Sequence, residues 1–174
     1  MYRLVIIVFV TVLCISTTGC LSVPPTVKPV GSFNQQRYLG TWYEIARLDH
    51  SFERGLTKVY TTYQLGPDGT IIVTNRGFDP IKNRWNEAIG KASAVDSPEI
   101  GHLKVTFFWP FYSSYIVSYL DPTYQYAVVT GPTLSYAWIL ARTPRIPNEV
   151  KTRLIEHLES IGISKDGLIF SDDR

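Results

Sequence analysis

From Gly40 onward the chain is cut by turn-forming residues at short, even intervals, and this punctuation limits the fold more than any other feature. The breaks are Gly66-Pro67-Asp68-Gly69, Asp79-Pro80, Ser97-Pro98, Pro110, Asp121-Pro122 and Gly131-Pro132. The segments between them are rich in Val, Ile, Thr, Tyr and Phe, side chains that suit a pleated, half-buried surface. Spacing of about 8–12 residues with that composition predicts an all-β sandwich or barrel. The expected strands are 40–47, 57–65, 70–78, 84–95, 102–109, 115–120, 124–130 and 136–142. The gaps after residue 57 are short enough for antiparallel hairpins. Strands meandering in this way predict an eight-stranded antiparallel up-and-down β-barrel, whose closure leaves no exposed edge.

One segment has a different period. Between Pro147 and Ile161, Val150, Leu154, Leu158 and Ile161 fall on one face at helical spacing. Pro147 suits the first turn of a helix and Gly162 its C-terminal stop. The expectation is one C-terminal α-helix packed outside the barrel, followed by a short edge strand at Leu168-Ile169-Phe170.

The N-terminus carries a separate message. Arg3 precedes an apolar run from Leu4 to Ile15, too short for a transmembrane helix, which needs about 20 apolar residues. Residues 1–19 therefore read as a signal peptide. It ends in Thr17-Thr18-Gly19-Cys20, which resembles a bacterial lipobox with Thr17 where that pattern carries an aliphatic residue. Ordinary secretion with cleavage nearby is the plainer alternative. Of the two cysteines, Cys14 lies in the signal, which leaves Cys20 as the first and sole thiol of the mature chain. An unpaired Cys in an exported protein needs an explanation, and lipidation supplies one. By the bacterial sorting pattern, Ser22 and a residue other than Asp at position 21 imply the outer membrane. Residues 20–32, with Pro24, Pro25 and Pro29, read as a lipidated tether. Extended at about 3.1 Å per residue, it would reach roughly 40 Å. The fold proper is then 33–174.

The stretch Gly40-Thr41-Trp42-Tyr43-Glu44-Ile45-Ala46-Arg47, preceded by Phe33 and Arg37-Tyr38-Leu39, resembles the Gly-x-Trp signature that opens the first strand of lipocalins. Its continuation, Leu48 to Leu56, is similar to the bacterial branch. Asp121, Tyr124 and Ala127 fall where the second motif of that family sits, and Trp138-Ile139-Leu140-Ala141-Arg142 resembles the third. The resemblance runs from about Phe33 to Phe170. It implies that Trp42 plugs one end of the barrel and that Arg142 lies over its indole, a contact worth about 0.5–2 kcal/mol. Both residues are then structural.

The interior is the expected site. Side chains alternate in and out along a strand. If Arg142 points inward, so do Leu140, Trp138 and Tyr136. On the sixth strand Tyr115, Val117 and Tyr119 share a face, and on the fifth Leu103, Val105, Phe107 and Trp109 do. Trp138, Tyr115 and Tyr136 are the candidate ligand-binding residues, although alternation alone leaves open that they simply fill a core. An apolar sleeve with a few phenol hydroxyls suits an acyl chain with a modest polar head. The aromatic cluster Trp109-Pro110-Phe111-Tyr112 reads as a portal flap, a membrane contact, a homodimer contact, or a loop folded back over the mouth, the last being preferred.

Other functions find little support. A formal charge of +2 gives no electrostatic grip on nucleic acid. His50, His102 and His157 have no metal-ligand spacing, and His157, on the helix, is expected to be solvated. No nucleophile elbow, P-loop or dinucleotide fingerprint is present, so neither a cofactor nor enzymatic activity is expected. The family resemblance implies a carrier of fatty acid or lysophospholipid on the periplasmic face of a bacterial outer membrane. Two alternatives stand beside it. One is a structural envelope lipoprotein with a filled barrel. The other is an enzyme on a lipophilic substrate, for which Glu44 is the best lone candidate but reads better as the partner of an Arg.

Overall fold

The computed structural model describes residues 21–171. The expected signal peptide and Cys20 lie outside them. A one-turn helix α1 (Gln35–Tyr38) leads into strands β1 (Gly40–Leu48), β2 (Thr57–Leu65), β3 (Ile71–Asp79), β4 (Arg84–Ala94), β5 (His102–Phe108), β6 (Phe111–Leu120), β7 (Tyr126–Thr130) and β8 (Ala137–Ala141). Helix α2 (Asn148–Ser160) and a short strand β9 (Leu168–Phe170) follow. Each strand from β2 to β7 pairs antiparallel with the next, and β1 pairs with both β8 and β2, which closes an eight-stranded barrel.

β1 manages the closure by splitting one of its edges. Its first half, Gly40 to Tyr43, pairs with Tyr60–Tyr63 of β2. Its second half, Ala46 to Leu48, is left by β2 and is taken by β9. The short terminal strand thus covers an edge that would otherwise present unpaired backbone groups.

The helix packs outside as its spacing predicts. Leu154 and Leu158 are fully buried against Ile45, Ala46, Ile116, Val128 and Ile139, the outward residues of the barrel wall. Gly162 (φ +94°) ends it in the left-handed region, where a side chain would be strained. The Gly162 N–H donates to the Glu159 carbonyl and the Ile163 N–H to that of Leu158, which satisfies two otherwise unpaired helix-end acceptors. Pro147 sits one place earlier than expected, at the N-cap.

Two bulges decide which residues face inward. In β1 the register with β8 slips between Glu44 and Ala46, so Ile45 and Ala46 both turn toward the helix and Arg47 re-enters the lumen beside Glu44. In β6 it slips between Val117 and Tyr119. Tyr115 and Val117 face the interior as expected, but Tyr119 packs on the helix side and Leu120 on the interior. The expectation that Tyr119 shares the face of Tyr115 fails because one extra residue flips a period of two. Trp109 also leaves its expected face. β5 ends at Phe108, which pairs with Phe111, so Trp109 and Pro110 form a tight projecting tip. The tip does not fold back over the mouth.

The stretch expected to be an extended tether lies on the barrel from Ser22 to Val30. The Val30 N–H donates to the Val117 carbonyl, the Gly101 N–H to that of Val30, and Val27 is buried under the helix.

Candidate ligand-binding cavity

The two barrel ends are built differently. One end holds Trp42, which has no exposed surface, with the Arg142 guanidinium 4.0 Å over its ring. Arg142 also donates to the carbonyls of Thr41 (3.0 Å), Arg37 (2.8 Å) and Tyr124 (3.2 Å). It therefore ties the start of β1, α1 and the β6–β7 turn together. The glycine before Trp42 is required here. Gly40 adopts φ +96°, and a Cβ would sit 3.2 Å from Arg142 Nη1. The Trp42 indole N–H donates to the Tyr38 carbonyl (2.8 Å), and the Tyr38 ring packs tilted against the indole with centroids 4.8 Å apart. Trp42 and Arg142 close the barrel as the resemblance implied.

Above this plug lies a layer of three phenols. Tyr115 Oη is 2.7 Å from both Tyr38 Oη and Tyr63 Oη. Burial, the largest influence, pushes all three hydroxyls above the ordinary tyrosine value, so they are neutral hydrogen-bonding groups. The layer forms the floor of a cavity of about 730 Å³ that opens at the other end of the barrel. Val73, Leu103, Val105, Phe107, Val129 and Leu140 line its walls. All three candidate residues border it: Tyr115 in the floor, Trp138 on the wall and Tyr136 at the rim.

A charged cluster lies in the upper wall, where Glu44 and Glu53 border the cavity. Arg47 Nη1 donates to Glu44 Oε1 at 2.6 Å, and Nη2 donates to the Glu53 carbonyl at 2.9 Å. Its Nε lies 3.9 Å from Glu53 Oε2, a charge contact too long for a hydrogen bond. The Trp138 indole N–H donates to the same Glu53 oxygen at 3.1 Å. His50 Nε2 is also 3.1 Å from it, close enough to pair when the imidazole is charged but not aligned as a hydrogen bond. The His50 ring stacks on Phe52 with centroids 3.9 Å apart. Burial pushes the Glu53 carboxyl up, but its contacts with His50, Trp138 and Arg47 outweigh this and hold it below the ordinary glutamate value. Glu44 is the structural partner of an Arg that its sequence context suggested.

Arg47 and Glu53 were not singled out from the sequence. The adjacent apolar pair Ile45-Ala46, which breaks the alternation of β1, is the signal that marks the bulge and returns Arg47 to the lumen. The other histidines lie elsewhere. His102 Nε2 contacts Ser114 Oγ at 3.0 Å. His157 is half-buried, not solvated, with Nε2 at 3.1 Å from Ser118 Oγ and its ring against Tyr119. Desolvation lowers the pKa of both. Among the described residues, no three His, Cys, Asp or Glu side chains are grouped to hold a metal ion.

Residues 33–173 match the family model described as a lipocalin-like domain. The chain is 46% identical over 164 residues to the outer membrane lipoprotein Blc of Vibrio cholerae, covering 94% of this chain and 96% of that one. It is 48% identical over 147 residues to the protein of the same name in Escherichia coli K12, covering 84% and 81%. Insecticyanin from the tobacco hornworm Manduca sexta superposes with a TM-score of 0.69 at 19% identity, over 86% of this chain and 85% of that one, a likeness of fold alone.

Proposed function

The chain belongs to the lipocalin-like family, and on that premise we propose that its barrel holds one lipophilic ligand with an alkyl tail, a fatty acid or a lysophospholipid, for storage or transport in envelope maintenance. The cavity carries this reading. Small-ligand sites are mostly apolar clefts of about 300–1,000 Å³ with a few placed polar groups. This one has about 730 Å³, aliphatic and aromatic walls, and polar groups at its floor and upper wall. The tail lies between Leu103, Val105, Val129 and Leu140. The head stays near the mouth, where the Glu53 cluster and water can meet it. Trp138 and Tyr136 flank the tail at the upper wall, and Tyr115 limits its depth.

The relatives named outer membrane lipoproteins support the same setting for this chain, anchored through Cys20 on the periplasmic face. The open cavity counts against a filled, purely structural barrel. The Arg47–Glu44 pair counts against Glu44 as an acid–base catalyst, because proton transfer there would break a buried ion pair at 2.6 Å.

Native mass spectrometry of the purified protein and tryptophan fluorescence titrated with palmitate and lysophospholipid test the reading. Co-purified lipid and saturable quenching are expected. Trp138→Phe should abolish most of the quenching and weaken binding about tenfold, or about 1.4 kcal/mol. A barrel that carries no lipid and gives no saturable signal would overturn the proposal.

A further inference from the structure

The course of the N-terminal segment determines where the barrel mouth points. Phe33 starts at the closed end, its N–H donating to the Glu99 carbonyl in the β4–β5 turn. Going back toward the N-terminus, the chain climbs the barrel wall through Val30 and Val27, and Thr26 Oγ1 donates to the Ile161 carbonyl at 2.7 Å. At the top, Ser22 Oγ donates to the carbonyl of Pro132 (3.1 Å) in the β7–β8 loop. Pro132 belongs to the mouth of the cavity. Cys20 is two residues beyond, so at about 3.3–3.6 Å per residue the anchor has about 7 Å of reach from the mouth. The closed end is about 23 Å away, the span of a nine-residue strand tilted about 40° to the barrel axis.

That same rim is apolar. Phe108 and Trp109 are each 81% exposed, Phe111 is 70% exposed, and Ile81 in the neighbouring β3–β4 turn is 91% exposed. Phe52, in the β1–β2 loop, joins them at 58%. Exposed apolar surface gathered in one place marks an interaction site, and aromatic rings of this kind settle at membrane–water interfaces. Lys58 and Arg84 stand at the same end, in β2 and β4, where anionic headgroups would meet them, beside Lys82, whose ammonium lies 3.6 Å from the Asp79 carboxylate. The turns of the closed end are instead built on polar side chains, with Asp68 accepting from Thr70 and Asp121 from Thr123. Its exposed apolar residues, Leu65 and Ile100, lie in different turns.

We propose that the open mouth of the barrel docks on the phospholipid bilayer that carries the Cys20 anchor, with the Phe108–Phe111 tip and Ile81 entering the headgroup region. The proposal rests on the lipid-anchored carrier reading above and extends it. The strapped N-terminus brings anchor and rim to one end of the molecule. The mouth is pressed to the membrane, and a lipid passes between bilayer and cavity without crossing water.

Two measurements test this. The lipidated mature protein is reconstituted in phosphatidylethanolamine–phosphatidylglycerol vesicles with brominated acyl chains. Its tryptophan emission should be quenched, and Trp109→Ser should remove most of that quenching. Equal quenching in both, or none, overturns docking. In the second, the mature chain with Cys20→Ser is sedimented with the same vesicles. Adding Trp109→Ser and Ile81→Ser, neither of which lines the cavity, should lower partitioning at least tenfold and leave palmitate affinity in solution unchanged. Unchanged partitioning overturns docking while the carrier reading stands. Absent palmitate binding with rim-dependent partitioning sinks the carrier reading and leaves docking standing. A dimer that the two rim substitutions dissociate, with no vesicle binding by either protein, would assign the rim to a second copy of this chain and overturn the proposal.

Discussion

The closed and open ends of this barrel are made from the same strands and have opposite physics. At the closed end, every group that defines it has a partner. Trp42 is packed, its N–H is bonded, and Arg142 spends its donors on three carbonyls. At the open end, apolar rings face solvent, and in the buried cluster beside them Arg47 Nε and the two His50 ring nitrogens have no hydrogen-bond partner. The difference teaches that the fold concentrates its stability where the barrel is sealed and leaves unmet interactions where a ligand or surface can meet them. Substitutions in the plug should therefore move melting temperature, those on the cavity wall and exposed rim should move binding, and the buried ion cluster of the upper wall should bear on stability.

The largest effect expected is for Trp42→Ala. Losing a fully buried Trp costs about 3–5 kcal/mol, and the contact with Arg142 adds to that. For a chain of this size each kcal/mol shifts melting by about 2–4 °C, so a drop on the order of 10 °C should appear in calorimetry. A melting temperature equal to wild type would erase the contrast between the ends. Next is Arg47→Met, which removes the ion-pair partner of the buried Glu44 carboxylate. Breaking a buried pair by removing one partner costs about 3–5 kcal/mol. Adding Glu44→Gln should recover part of the loss in a denaturant melt, and a double variant no more stable than Arg47→Met would deny that the pair is coupled. The smallest effect is acid sensitivity. Glu53 is held below its ordinary value, so its stabilisation is complete above the unfolded pKa of about 4.3 and is lost as pH falls through the lower folded value. Between pH 5 and pH 3 wild type should lose more stability than Glu53→Gln. Parallel losses would show that Glu53 contributes nothing at the open end.

Much of this could be read in the chain itself. The eight strands, the helix, the edge strand and the pairing of Trp42 with Arg142 all follow from turn spacing, period and motif, because each is specified within a few residues or by one strong resemblance. For Tyr115 alternation showed only the residues that share its face, whereas Trp138 and Tyr136 were legible as cavity residues, since alternation counted from Arg142 holds back along the chain. Arg47, Glu53 and the misassigned face of Tyr119 were not. A bulge inverts every side chain after it, and its position depends on the neighbouring strand.

By itself, then, the sequence determined the barrel, its plug and the outer helix, because local periodicity and turn chemistry act over short stretches of chain. Only the tertiary structure decided that the lumen stays open at about 730 Å³, that Glu44, Arg47, Glu53 and His50 share one buried patch, and that the segment after Cys20 runs to the mouth. Those outcomes depend on volumes and contacts between residues up to 135 positions apart. No pattern along the chain records such distances.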